Sequence, residues 1–112
     1  MRLSDAIRKG HEILPFSAWF RLFNFDYGRI SGACAMGKAI IGIVGLEGAN
    51  QTNMSEIIPE AVERLPIRTF CPKCIATDFF TFAIFVTHLN DMHMLPALEI
   101  ADIVEKVEDE LY

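Results

Sequence analysis

The chain has 112 residues, of which 52% are hydrophobic and nine are Phe, and it carries a formal net charge of −5. That length holds one domain (residues 1–112), long enough for a core yet small enough that a metal staple would matter. The apolar content excludes a disordered chain and suggests that a partner, including a second copy, covers some of it, while −5 is too little charge for a nucleic-acid mimic.

The longest apolar runs, FFTFAIFV and AIIGIVGL, fall short of the roughly eighteen residues a membrane span needs. No basic, apolar leader opens the chain, so a cytoplasmic protein is expected. Three cysteines fit a reducing compartment and a thiolate role better than a disulfide framework.

In chain order, LSDAIRKGHEIL predicts a first short helix with Ser4 as its N-cap and Gly10 as a stop. His11 reads as a surface or capping residue. Between Phe16 and Ser31 the aromatics Trp19, Phe20, Phe23, Phe25 and Tyr27 crowd together with Arg21 and Arg29. Their alternation predicts a minor hairpin over residues 19–31, turning at Asp26-Tyr27-Gly28. Aromatics interleaved with cations can stack nucleobases, but core packing is the commoner use of six aromatics, Phe16 included, with two cations. The run ACAMGKAIIGIVGL, residues 33–46, predicts a buried helix with Met36, Ile40, Ile43 and Val44 on its stripe, or a β-rich run if the glycines break it. Cys34 reads there as a small buried hydrophobe. The glycines at 37, 42, 45 and 48 have no phosphate-loop spacing.

A polar loop is expected over residues 47–54 and a short helix over residues 55–65, closed by Pro66. Pro66 to Phe70 then runs extended into CPKCIATDFFTFAIFVTHLNDMH. This stretch holds Cys71, Cys74, His88 and His93 with C-x2-C and H-x4-H spacing, the pattern that lets two thiolates on a tight turn and two imidazoles on a following helix surround one Zn²⁺. Pro72 stiffens the turn, and Thr77 or Asp78 is the expected cap of a helix covering Ile75 to Val86. Residues five apart on a helix lie about 140° from each other, so His88 and His93 can share an ion only if the helix loosens near Asn90 and Asp91. Asp91 is the alternative fourth ligand. Beyond Pro96 an amphipathic helix is expected, with Ile100, Ile103, Val104, Val107 and Leu111 buried. The acids Glu99, Asp102, Glu105, Glu108, Asp109 and Glu110 read as its solvated face.

Phe79, Phe85 and His88 follow the order of core aromatic, core aliphatic and first imidazole in a two-cysteine, two-histidine zinc finger. Residues 71–93 resemble that motif, with one extra residue after the second cysteine and Phe85 where an aliphatic is usual. The C-terminal third, with CPKC, HLNDMH and EIADIVE, is similar to the tail of small uncharacterised proteins of phages and mobile elements, as are LSDAIRKG and CAMGKAI. That resemblance implies origin and compactness rather than an activity. This chain departs from it at Pro96, where a Ser or Thr cap is usual, and at Ile103, where a Trp is usual.

Together these features predict a mainly α, small α+β fold with short helices, a minor β-hairpin and a zinc knuckle that packs the Phe79 helix against the acidic C-terminal helix, residues 96–112. Four protein ligands close a coordination sphere and make the zinc structural. The expected function is a protein-interaction module that binds a host protein and is not an enzyme. A nucleic-acid-binding finger is the alternative, although the 75–86 stretch contains no Arg, Lys, Asn or Gln to read bases. A small zinc or thiol enzyme with Asp91 or Glu99 as base is the second alternative.

Overall fold

The computed structural model describes residues 2–51, 66–74 and 79–111, so the expected helix over residues 55–65 and the caps at Thr77 and Asp78 lie outside the described residues. In chain order the elements are α1 (Leu3–Ile13), β1 (Phe23–Asp26), β2 (Arg29–Ala33), α2 (Ala35–Gln51), β3 (Pro66–Thr69), β4 (Phe79–Thr81), α3 (Phe82–Asp91) and α4 (Ala97–Leu111). The strands form two separate antiparallel pairs, β1 with β2 and β3 with β4. This is the mainly helical α+β fold expected. Among the described residues no helix is long and apolar enough to cross a membrane.

The start of α1 differs from expectation. Arg2 occupies the N-cap without a side-chain bond, and Ser4 lies inside the helix, buried, its Oγ without a hydrogen-bond partner. The cap comes from the far end of the chain. Glu108 of α4, only 2% exposed, accepts the Leu3 N–H at 3.1 Å and the Ser4 N–H at 3.3 Å, one on each carboxylate oxygen. A carboxylate there satisfies two orphan donors and faces the positive end of the helix dipole.

Gly10 does not stop α1, which continues to Ile13. Its missing side chain serves a crossing instead. A Cβ on Gly10 would lie 1.7 Å from the Lys38 carbonyl oxygen, and one on Gly42 would lie 2.1 Å from the Ala6 carbonyl oxygen, so α1 and α2 touch backbone to backbone. Close packing brings Lys38 inside, 1% exposed. Its Nζ lies 2.8 Å from His11 Nδ1 and donates to the Pro15 carbonyl at 3.3 Å. Burial pushes the Lys38 pKa down, and burial together with Lys38 pushes that of His11 down; both shifts favour the neutral bases.

The hairpin turns where expected, at Tyr27 and Gly28, whose positive φ values of 51° and 77° are the pair that a two-residue turn matching strand twist requires, but its strands, Phe23–Asp26 and Arg29–Ala33, start and end later than the expected residues 19–31. Its aromatics correct the core-packing expectation. Phe23 is buried, whereas Phe16, Phe20, Phe25 and Tyr27 are exposed and Trp19 is half-buried. A bulge between Asn24 and Phe25 breaks the alternation that would have put both Phe rings inside.

Residues 47–51 extend α2 rather than forming the expected loop, past a break at Gly45 (φ 81°, ψ 164°). Cys34 precedes this helix, and its Sγ accepts the Gly37 N–H at 3.4 Å. Met36 and Ile40 are buried as expected, but Ile43 and Val44 are 42% exposed, their place taken by Ala39 and Ile41.

The acidic face is also not simply solvated. Arg8 binds Asp102 at 2.9 Å and Glu105 at 3.2 Å, Arg2 binds Asp109 at 2.6 Å, and Lys73 binds Glu99 at 3.1 Å. These pairs and Glu108 tie α4 to α1 and to the cysteine turn. Behind them Ile100, Ala101 and Val104 share one core with Leu3 and Ile7 of α1 and Phe82, Phe85, Val86 and Leu89 of α3. A second cluster, including Leu14, Phe23, Ile30, Ile40 and Ile41, joins the hairpin to α2, and Leu22 packs against both.

Gly10→Ala should lower unfolding stability by about 1–3 kcal/mol or more, since backbone rather than a flexible side chain must move. Glu108→Gln, nearly isosteric, should cost about 1–2 kcal/mol because an amide NH₂ then faces a helix N–H. Urea titration of the metal-loaded chain measures both.

Candidate metal centre

The local fold around the cysteines is strand, turn, strand, helix. Backbone pairing of β3 with β4, Pro66 opposite Thr81 and Thr69 opposite Phe79, brings the two flanks of the cysteine turn together. Phe79 is therefore on a strand, and α3 starts at Phe82 rather than just after Cys74. Thr81 is its cap, with Oγ1 accepting the Ile84 N–H at 3.3 Å.

Cys71 is buried and Cys74 exposed. Within the turn the Lys73 N–H donates to Cys71 Sγ at 3.3 Å. His88 is on the last turns of α3. The helix ends at Asp91, Met92 is its C-cap, and Met94 takes a left-handed φ of 51°. His93 thus stands beyond the helix, which resolves the 140° conflict by termination rather than by loosening inside it.

The four predicted ligands meet. One donor atom each from Cys71, Cys74, His88 and His93 lie within 4.8 Å of one another, close enough to hold one metal ion. Cys71 Sγ is 3.3 Å from His93 Nε2, Cys74 Sγ is 3.5 Å from His88 Nε2, and the two Nε2 atoms are 3.1 Å apart. A tetrahedral zinc with Zn–S about 2.3 Å and Zn–N about 2.05 Å gives S···N edges of about 3.5 Å and an N···N edge of about 3.3 Å. The observed edges are compatible with that ion. Both rings aim Nε2 inward, and ligation by both puts their protons on Nδ1.

Packing orients His88. The Phe79 ring lies 4.9 Å from it and 5.7 Å from Phe85, centroid to centroid. Burial, with the His93 ring beside it, pushes the His88 pKa below the ordinary histidine value, which keeps its lone pair available near neutral pH.

Asp91 is not among the four. Its Oδ1 accepts the Phe20 N–H at 2.9 Å and the Asn90 Nδ2–H at 2.8 Å. Glu99 is paired with Lys73, and Cys34 and His11 stand apart from the cluster. The sequence reading missed the Lys38–His11 pair. Its signal was Lys38 itself, the one charged residue in the apolar run 33–46.

Comparison with protein-family models, with curated proteins and with solved structures returns no match.

Cys71→Ser and His93→Ala should each weaken metal binding by more than the roughly 10–100-fold that loss of an outer-shell partner costs. Asp91→Asn should leave the ratio of metal to protein unchanged. Competition with a chromophoric chelator and elemental analysis measure these outcomes; equal losses for Asp91→Asn and His93→Ala would reject this ligand set.

Proposed function

We propose that the chain is a small protein-interaction module whose finger, residues 71–93, is held by one structural Zn²⁺ and which acts by binding another protein. The observation that carries the reading is the convergence of two sulfurs and two imidazole nitrogens within 4.8 Å. Cys71, Cys74, His88 and His93 would hold the ion, and four protein ligands leave no position for a substrate. Its contribution is to folding: it fixes the cysteine turn against the end of α3. On the resemblance of the C-terminal third to phage and mobile-element proteins, the partner is a host protein.

The surface supports a protein partner over nucleic acid. Fingers that read DNA do so from the residue before the helix and from its third and sixth positions. Those are Thr81, Ile84 and Thr87 here, none of them an Arg, Lys, Asn or Gln. Ile84 is 58% exposed. Of the five N-terminal cations, Arg2 and Arg8 bind α4 carboxylates and Arg29 pairs with Glu47, which leaves Lys9 and Arg21 without a carboxylate partner among the described residues. Phe16, Phe20, Tyr27, Phe70, Met92 and Met94 are exposed as well, the residue types enriched where proteins meet.

The test is capture from a host lysate by zinc-loaded, chelator-treated and His88→Ala chains, beside retention on DNA at increasing salt. Capture should require the loaded, intact finger, and DNA should not retain the chain at physiological salt. Salt-sensitive retention on DNA with no captured protein would overturn the reading.

A further inference from the structure

A second feature lies on α3, apart from the four ligands. A pocket of about 210 Å³ is lined by buried Cys34, Met36 and Val86, half-buried Leu22 and exposed Phe20 and Arg21. It is smaller than the roughly 300–1,000 Å³ of sites that enclose whole small molecules. One side chain is a better match to its size.

The wall of the pocket is fixed before anything binds. Asn90, 4% exposed, accepts the Ala35 N–H at 3.2 Å and donates to the Ala18 carbonyl at 3.2 Å. Asp91, which also borders the pocket, accepts the Phe20 N–H and the Asn90 amide on one oxygen. These bonds hold the segment from Ala18 to Phe20 against the end of α3. Phe20 takes a left-handed φ of 61° there, with its ring 72% exposed. A left-handed backbone is unfavourable for a residue with a side chain, and such strain collects where a surface is used.

Charge narrows the occupant. Arg2, Arg8, Arg29 and Lys73 have carboxylate partners, whereas Arg21 has none among the described residues.

The geometry points to this pocket as the anchor site for a partner polypeptide, which inserts one apolar side chain beside Phe20 and sets a neighbouring carboxylate on Arg21. This rests on the interaction-module reading and adds the chemistry of the partner. The bidentate fork of arginine suits a carboxylate, and a single apolar anchor in a preformed pocket is the usual centre of a binding hot spot.

The test uses the zinc-loaded full chain and short synthetic Gly/Ser peptides with a central Leu or Phe followed two residues later by Glu, Lys or Ser. Methyl NMR of Met36 and Val86 reads the pocket directly. Glu peptides should shift those resonances most, and Arg21→Glu, a surface change, should transfer the preference to Lys peptides. Phe20→Gly should weaken Glu-peptide binding by about tenfold or more without lowering the thermal midpoint, because glycine accepts the left-handed backbone. Four results overturn the pocket: no methyl shift with any peptide, equal shifts with Glu and Lys, shifts confined to residues elsewhere such as Ile84 or Leu98, or shifts that depend on protein concentration without peptide, which would make a second copy the occupant. The two readings fail separately. A host protein captured equally by the parent, Arg21→Glu and Phe20→Gly chains overturns this site and leaves the interaction module standing, whereas peptide binding that survives metal removal counts against the zinc-held finger alone.

Discussion

Two backbone N–H groups at the start of α1 face inward, and the carboxylate of Glu108 answers both. An uncapped, buried helix start would leave donors without partners at a cost of about 1–3 kcal/mol each, so the last helix has to return to the first. Once it does, Arg8 can engage Asp102 and Glu105 along the same line. Ile100, Ala101 and Val104 then lie against Phe82, Phe85 and Leu89 in one core. The orientation of α3 follows from that core, and with it the direction of His88. In this protein the direction of His88 follows from a cap whose two partners, Leu3 and Glu108, stand 105 residues apart along the chain.

The parts of the fold legible in the sequence are those whose chemistry is local. Metal ligation demands particular atoms at particular spacings, so Cys71, Cys74, His88 and His93 stood out as a set, and the turn at Tyr27-Gly28 and the boundary at Pro96 were similarly readable. What escaped were choices made between distant segments. Ser4 has the side chain of a cap, yet Glu108 occupies the role. Gly10 has the look of a stop, yet its value is the space it leaves for the Lys38 carbonyl. The start of α3 moved to Phe82 because residues 79–81 pair with residues 66–69, a partnership that local propensity cannot express. The acidic stripe of α4 looked like a solvated face because its cationic partners lie mostly on α1.

The functional surface divides along the same lines. Arg2 and Arg8, which could have met nucleic-acid phosphates, are paired with carboxylates of α4, while several large apolar side chains stay outside with little to cover them. A small domain whose helices are joined by charge pairs as well as by a core can leave aromatic residues outside that core. Phe20 shows the trade most clearly: its backbone is held by Asp91 in an unfavourable conformation, and its ring contributes little to the interior.

Contact of α1 with α2 through bare backbone has a consequence for tracing ancestry. Positions 10 and 42 lie where any side chain would collide with a carbonyl oxygen, so substitution there would require the two rods to part, while most of the exterior is at liberty to drift. A remote cousin of this chain would be recognised by a pair of glycines thirty-two places apart followed by the cysteine and histidine spacing, even where no other letter had survived.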